Sequence, residues 1–289
     1  MCKKCFIKSL EYKTKRTVSK FSMIKHDDRV AVAVSGGKDS LALLNILKNI
    51  LSAANPELVA ITVDEGINGY RDESLNIVKN FCSRIGVENR VTSFSELFGL
   101  TMDKAMEVRP SEKISSCSMC GTFRRRSIDL LAESCEANVI ATGHNLDDFI
   151  QTFFINLFAG DVERIGWTYP EPVEYGASGL RKIKPLTEIY ENELVMYAIQ
   201  ENIPFQVEEC PYKDESIRSE FRSHLNNLEK IHPGIKYNAY NSILKIAKKV
   251  KSTNDVINRG HSICMVCNRD SSSSICSVCR IRNMLVKKI

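Results

Sequence analysis

One segment near the start of the chain constrains the fold more than any other. Residues 30–34 read Val-Ala-Val-Ala-Val, which predicts a short buried strand. Residues 35–40 read Ser-Gly-Gly-Lys-Asp-Ser and predict a loop. Apolar residues then recur at helical spacing, at Leu41, Leu44, Leu47 and Leu51. A glycine loop between a strand and a helix is typical of an anion site, because backbone amides and the helix start can face a phosphate.

Strands and helices alternate through the first half of the chain. We expect strands at 58–63, 91–94 and 138–141, helices at 73–85, 96–108, 117–132 and 146–158, and a strand-like run at 203–207. This pattern predicts an α/β fold with a doubly wound parallel sheet. A ligand is expected at the carboxyl ends of the strands, where residues 35–40, Asp64 and 142–148 meet.

Charge divides the 289 residues into an acidic middle and basic ends. Residues 1–29 hold nine Lys/Arg against three Asp/Glu, residues 213–259 ten against five, and residues 260–289 five against one. We therefore expect four parts. Residues 1–25 contain a basic helix, and residues 26–212 form the catalytic domain. Residues 213–259 form a basic helical segment with helices at 215–230 and 239–251, and residues 260–289 form a terminal segment that holds two cysteine pairs. No apolar run is long enough for a transmembrane helix, and no signal peptide is expected.

Eight of the eleven cysteines form Cys-x-x-Cys pairs. Paired cysteines without a secretion signal indicate metal or redox chemistry in a reducing compartment. Cys264, Cys267, Cys276 and Cys279 have the spacing of a four-thiolate zinc knuckle, which would be structural. Cys82 and Cys135 lie in helical patterns and are expected to be core residues.

The loop at 35–40 is not a Walker A sequence, which requires Gly-x4-Gly-Lys-Ser/Thr. It resembles instead the PP-loop, Ser-Gly-Gly-x-Asp-Ser, of the ATP pyrophosphatases. Five further segments, at 64–72, 117–125, 141–148, 184–186 and 203–212, are similar to the TtuA/NcsA group of tRNA 2-thiouridine synthetases. The resemblance runs from Cys2 to about Leu285.

This resemblance implies an activity and a site. ATP would be cut between its α and β phosphates, the C2 oxygen of a tRNA uridine would be adenylated, and sulfur would replace it. Asp148 would be the catalytic acid or base, and Asp147 would cap a helix or support the site. His144 is either a ligand or a packing residue. Asp39 and Asp64 would contact Mg²⁺ and the ribose. The implied ATP-binding residues are Val34, Ser35, Gly36, Gly37, Asp39, Ser40, Asp64, Thr142 and Gly143.

Cys117, Cys120 and Cys210 form the cysteine triad of this chain. The first two begin a predicted helix and precede Arg124, Arg125 and Arg126, a setting that lowers thiol pKa values. From the residues alone, the triad fits either a redox pair with a resolving cysteine or a 4Fe-4S cluster with one open iron. The resemblance implies the cluster, with the open iron binding the sulfide that attacks the activated base.

Cys2 and Cys5 resemble the second half of the family's N-terminal zinc knuckle. The pair is either a remnant, or part of a truncated knuckle, or takes zinc ligands from elsewhere. An N-terminal zinc is therefore in doubt.

The partners implied are tRNA, held by lysines at both ends of the chain, and a sulfur donor, either sulfide or a ubiquitin-like carrier with a thiocarboxylate. A homodimer, a cytoplasmic location, no membrane partner and a weak preference for the wobble uridine over a T-loop uridine are also expected. The candidate tRNA-binding side chains are Lys3, Lys4, Lys8, Lys13, Lys15, Arg16, Lys245, Lys248, Lys249 and Lys251.

Two alternative functions agree less well with the sequence. An amidating or lysidine-type ligase would not need the cysteine triad. An inert zinc-knuckle RNA-binding protein would not need an intact loop at residues 35–40.

Overall fold

A central six-stranded sheet organises the protein in the computed structural model, which describes residues 1–52, 56–109, 114–175, 179–212, 217–253 and 262–286. Its strands are β1 Arg29–Ala33, β2 Glu57–Asp64, β3 Glu88–Ser93, β4 Val139–Thr142, β5 Glu174–Tyr175 and β6 Leu180–Ile183. They are ordered β3-β2-β1-β4-β6-β5. All neighbours pair in parallel except β5, which runs antiparallel to β6 at the edge.

Helices cover both faces of the sheet, so the predicted doubly wound α/β fold is confirmed. They are α1 Lys3–Lys20, α2 Lys38–Leu51, α3 Arg71–Ile85, α4 Phe94–Phe98, α5 Met102–Glu107, α6 Ser116–Ser134, α7 Leu146–Phe158, α8 Val162–Gly166, α9 Glu191–Gln200, α10 Ile217–Ile231, α11 Ile235–Thr253 and α12 Ser277–Val286. A small hairpin, β7 Ser262–Ile263 with β8 Asp270–Ser271, precedes α12. None of the helices in the described part of the chain is both long and apolar enough to span a membrane.

The structure departs from the sequence predictions at four places. The helix expected at 96–108 is two short helices, because Gly99 adopts φ +72° and ends α4. Strand β3 begins earlier than expected and ends at Ser93, whose side chain caps α4. The segment 203–207 is not a strand. Helix α11 begins at Ile235, directly after the break at 232–234.

The two ends of the chain pack against the central fold. Leu10 and Val18 of α1 are buried in the same core as β1, α2 and α9. At the other end, Cys264 and Leu285 are buried with Phe123 of α6, and Arg269 pairs with Glu133 of α6 at 2.7 Å. The helix that carries Cys117 and Cys120 is thus the base on which the C-terminal cysteines pack.

Candidate active site

The conformation of the loop after β1 is fixed by hydrogen bonds between its own hydroxyl and backbone groups. The backbone N–H of Ser35 donates to Ser40 Oγ at 3.1 Å, and that hydroxyl donates to the Gly37 carbonyl at 2.9 Å. Gly37 is the N-cap of α2 and has no side-chain cap. The amides at the start of α2 and its positive dipole end are therefore available to a phosphate.

Two glycines allow the close contacts that shape this loop. Gly36 has φ +88°, and a Cβ on it would lie 2.7 Å from Cβ of Ser74. A Cβ on Gly143, in the loop after β4, would lie 3.0 Å from the backbone of Asp39 and Ser40. Neither position accepts a larger residue without movement of backbone, so both glycines are required by geometry.

Charged groups surround Asp39 at the start of α2. Lys38 Nζ lies 3.0 Å from the Asp39 carboxylate and 2.9 Å from that of Glu191. Burial raises the pKa of Asp39 to about 6, and the nearby Glu191 and Asp148 carboxylates act in the same direction against Lys38. Asp39 Oδ1 is buried and has no hydrogen-bond partner among the described residues, so the carboxylate is suited to bind a cation when ionised.

Asp147 and Asp148 have different environments. Asp148 is the N3 residue of a capping box whose N-cap is Asn145, and Arg218 Nη1 approaches its carboxylate at 3.5 Å. Burial raises the pKa of Asp148. Asp147 is buried, pairs with Lys236 and accepts the backbone N–H of Glu191. Asp148 therefore faces the site, whereas Asp147 joins α7 to α9 and α11 and does not cap its own helix.

Other predicted residues lie around the same edge. The Asp64 carboxylate accepts the backbone N–H of Gly66 at 2.8 Å. Thr142 Oγ1 contacts Nδ1 of His144, which has an exposed surface but is desolvated enough by the surrounding protein to lower its pKa to about 3. Lys184 directly follows β6, and burial lowers its pKa.

The cysteine triad comes from two segments that converge beside this edge. The Tyr212 carbonyl accepts the Ser116 hydroxyl at 2.6 Å and lies 3.9 Å from Cys117 Sγ, so the segment after Cys210 lies against the start of α6. Burial raises the pKa of Cys120, and the neighbouring Glu65, Cys210 and Cys117 act in the same direction against Arg124. Three convergent thiols next to the Arg124 guanidinium fit an anionic cluster with three cysteine ligands.

An ionic link, buried at Arg71 and Glu65 and partly exposed at Arg124, joins the glycine loop to the triad. Arg71, which is 5% exposed, donates to the carbonyls of Ser35 at 2.9 Å and Val63 at 2.7 Å. Its Nε lies 2.6 Å from the Glu65 carboxylate, whose other oxygen lies 2.6 Å from Arg124 Nε. Arg124 Nη2 in turn contacts Cys120 Sγ at 3.5 Å. The positions of the loop and of Cys120 are therefore mutually dependent.

The segment before Cys210 makes a second link. The backbone N–H of Gln206 donates to the Gly36 carbonyl at 3.0 Å, and its side chain donates to the Tyr70 carbonyl at 2.7 Å. On the other side of Cys210, the Tyr212 hydroxyl donates to Asp103 at 2.7 Å. The segment that carries Cys210 is therefore anchored on both sides of this cysteine, although it has no regular secondary structure.

The C-terminal cysteines form a compact group. The ligand atoms of Cys264, Cys267, Cys276 and Cys279 all lie within 4.8 Å of one another. The N–H of Cys276 donates to Cys264 Sγ at 3.3 Å and lowers the pKa of that thiol to about 6. Four thiols at this spacing fit a tetrahedral zinc ion.

The N-terminal pair has no such surroundings. Cys2 is the N-cap of α1, Cys5 lies in its first turn, and both are exposed. Among the described residues, no third Cys, His, Asp or Glu joins them at metal-binding distance. Cys82 and Cys135 are buried, as expected.

A family model matches most of the chain, and known proteins match nearly all of it. The model described as PP-loop domain matches residues 8–229. The chain belongs to the PP-loop family. Within it, cytoplasmic tRNA 2-thiolation protein 1 of Drosophila erecta is 34% identical over 281 residues, covering 96% of this chain and 80% of that protein. The same-named protein of Chlamydomonas reinhardtii is 33% identical over 289 residues, covering 96% and 77%.

A solved structure narrows the relationship. The U34-tRNA thiolase NcsA from Methanococcus maripaludis, solved with its [4Fe-4S] cluster, is 30% identical and superposes with a TM-score of 0.83. The match covers 98% of this chain and 89% of that one. The predicted membership in the TtuA/NcsA type of PP-loop thiolase is confirmed.

The sequence motifs of this PP-loop protein did not identify the roles of several site residues. Glu65 and Arg71 lie in a recognised segment, but only the fold shows that they link loop and triad. Glu191 and Arg218 come from α9 and α10, far along the chain. No local pattern marks Glu191, and the basic character of 213–259 was the only available signal for Arg218.

The basic ends are less free than their charge suggests. Three cations of α1 pair with acids: Lys13 with Glu193, and Arg16 and Lys20 with Glu188. Lys251 pairs with Glu171. Of the candidate tRNA-binding lysines, those that are exposed are Lys3, Lys4, Lys8, Lys15, Lys245, Lys248 and Lys249.

Proposed function

We propose that this protein is an ATP-dependent tRNA uridine 2-sulfurtransferase. The observation that carries the proposal is the ionic link from the Ser35 carbonyl through the buried Arg71 and Glu65 and the partly exposed Arg124 to Cys120. It joins a phosphate loop to three convergent thiols across one edge of the sheet. An enzyme that activates a base with ATP and then substitutes sulfur needs both sites within reach of one bound nucleotide.

The loop and the carboxylates serve the first step. The amides of residues 36–40 and the hydroxyls of Ser35 and Ser40 bind the β and γ phosphates, and Asp39 and Asp64 hold Mg²⁺ and the ribose. Val34, Thr142 and Gly143 complete the nucleotide site. The uridine C2 oxygen attacks the α phosphorus, the bond to the β-phosphate oxygen breaks, and pyrophosphate leaves. Asp148 accepts the N3 proton of the uridine.

The triad serves the second step. Hydrosulfide sulfur attacks C2, the C2–O bond to AMP breaks, and the base becomes a 2-thiouridine with no net change of oxidation state. Cys117, Cys120 and Cys210 would hold a 4Fe-4S cluster, which when bound offers one iron without a protein ligand to a sulfur donor. Arg124 partly neutralises the thiolates and keeps Cys120 oriented towards the nucleotide site.

The substrate is proposed to be tRNA, and the wobble uridine is favoured because the matched thiolase is named for U34. The sulfur donor, sulfide or a thiocarboxylate carrier, and a homodimer rest on the family resemblance. A cytoplasmic location is supported by the name of the curated relatives. The C-terminal group would hold Zn²⁺ as a structural ion.

Anaerobic purification followed by single-turnover thiolation tests the proposal. The wild-type chain should be brown and should convert ATP to AMP and pyrophosphate only with tRNA. Cys117→Ala should be colourless and inactive, whereas Cys135→Ala, at a buried cysteine outside the site, should keep both the colour and the activity. A colourless wild-type protein with full activity would reject the cluster, and an ADP product would reject the family reaction.

A further inference from the structure

A second surface lies beside the site, in the groove between α7 and α10. No step of the proposed chemistry uses it. We call it the aromatic–arginine surface, and it consists of Phe154, Phe158, Arg218, Phe221 and Arg222.

The three phenylalanines form a short stack. Phe221 of α10 contacts two rings of α7: Phe154 at a centroid distance of 6.0 Å and an angle of 15°, and Phe158 at 5.7 Å and 30°. Both arrangements are close to parallel and suit offset stacking. Phe158 ends the stack and is 72% exposed. One face of its ring meets Phe221, so another planar group can stack on its free face.

The two arginines connect this stack to the site. Arg218 lies one turn before Phe221, approaches Asp148 at 3.5 Å and donates to Thr152 Oγ1 at 3.2 Å. Arg222 lies 3.8 Å from Glu191. Both guanidinium groups remain partly exposed. Phe158 follows Asp148 by ten residues on the same helix, a distance of about 15 Å.

We propose that the aromatic–arginine surface binds single-stranded RNA next to the target uridine. The base of a neighbouring nucleotide stacks on Phe158, and its phosphate contacts Arg218 and Arg222. Unpaired RNA bases are recognised by aromatic rings and guanidinium planes, whereas paired bases keep their faces inside the duplex. Arg218 and Arg222 lie 3.5 and 3.8 Å from their nearest carboxylates, longer than the 2.8 Å pair of Lys13, so each can also contact a phosphate. This inference rests on the proposed function, and it adds the nucleotides that flank the reactive base.

Binding of labelled tRNA to the full chain, measured by fluorescence anisotropy, tests this surface. Phe158→Ala should weaken binding by about five- to a hundredfold, the range for loss of one stacked base, while Phe158→Trp should bind at least as tightly as wild type. Leu157→Ala is the matched control, since Leu157 is an exposed neighbour on α7 outside the stack. Its affinity should not change.

A tRNA with an abasic neighbour provides the decisive comparison. Two such tRNAs, lacking the base on the 5′ or the 3′ side of the target, are bound to wild type and Phe158→Ala. For one of them the two proteins should bind equally, because the stacking partner is already absent. If Phe158→Ala binds both abasic tRNAs more weakly than wild type, by the same factor as it binds intact tRNA, the inference is overturned.

Two further results would also overturn it. One is unchanged tRNA affinity in Phe158→Ala. The other is conversion of a dimer to a monomer with tRNA affinity unchanged, which would make the surface a contact between copies of the chain. Failure of the proposed function is a separate outcome, because the wild-type protein itself would then neither bind nor thiolate tRNA.

Discussion

The two cysteine sites of this protein are built in opposite ways. The C-terminal four lie within 16 residues of one another in sequence, and their ligand atoms all lie within 4.8 Å of one another. In the described part of the chain no other group is as compact, so the thiols of the triad are spread more widely. The triad joins α6 to a segment 90 residues later, and its geometry depends on hydrogen bonds and ion pairs from several elements. One site is local and closed, and the other is assembled by the whole fold.

This difference indicates what each site contributes. A closed group of four thiols satisfies a tetrahedral ion and leaves no position for a reactant. Three thiols beside a phosphate loop leave one position open for a reactant. The local site should therefore matter for stability and the assembled site for chemistry, and four experiments test that distinction.

The largest expected effect comes from exchanging one cysteine in each site. Cys276→Ser should lose zinc and lower the unfolding midpoint by about 10 °C or more, because several kcal/mol of metal binding stabilise the segment packed on α6. Cys117→Ser, at an exposed position, should shift the midpoint by about 2 °C or less and abolish thiolation. Metal analysis and calorimetry provide the measurements. A stable, zinc-free Cys276→Ser protein would contradict the structural role.

Removing the charge of Glu65 should have the next largest effect. Glu65→Gln leaves Arg71 and Arg124 without their shared carboxylate, and breaking a buried ion pair costs about 3–5 kcal/mol in the free energy of unfolding. Glu88→Gln is the control, because the Glu88–Arg90 pair is exposed and should contribute about 1 kcal/mol or less. Urea unfolding measures both. Equal losses in the two variants would show that the buried link does not hold the assembled site.

The pH dependence of stability should reveal Asp39. Its pKa is raised to about 6 by burial, whereas an ordinary aspartate titrates near 3.8. The folded chain thus binds this proton more tightly than the unfolded chain. As the pH falls from about 6 to about 4, the contribution of Asp39 to the free energy of unfolding should therefore rise by about 2 kcal/mol.

Asp39→Asn isolates this contribution. The variant lacks the titrating group, so the difference between the free energies of unfolding of wild type and variant, both measured in urea, reports Asp39. A loss of zinc from the C-terminal thiols in acid affects both proteins and cancels in this difference. With no nucleotide present, the free energy of unfolding of wild type should rise relative to that of the variant as the pH falls. A difference that is flat over this range, or that has the opposite slope, would show that Asp39 is not held in a desolvated position.

The sequence was informative where the chemistry is local. Residues 30–51 predicted the strand, the loop and the helix, because the β-branched run, the glycine pair and the leucine spacing each act over a few residues. The spacing of Cys264 to Cys279 predicted the compact thiol group for the same reason. Helix α7 was predicted with its observed bounds, since its apolar period runs without interruption from Leu146 to Phe158.

The sequence was less informative where tertiary contacts decide. Helix 96–108 was expected to be continuous, but Gly99 ends α4 and lets Phe98 and Met102 pack in one cluster with Phe123. The apolar run at 203–207 resembles a strand, yet Gln206 instead bonds to Gly36 across the loop. Asp147 was expected either to cap a helix or to support the site; Asn145 is the cap of α7, and Asp147 pairs with Lys236.

The smallest effect tests whether the C-terminal site is purely structural. Arg280 and Arg282 are exposed on α12, so they can contact tRNA phosphates. Replacing both with Ala should lower the salt dependence of tRNA binding by about one to two units of slope, with zinc content and unfolding midpoint unchanged. Lys13→Ala is the control, because this lysine already pairs with Glu193 at 2.8 Å and its loss should leave the slope as it is. An unchanged slope in the arginine variant would restrict the local site to holding α6, and the tRNA would then be bound by the assembled site and the exposed lysines alone.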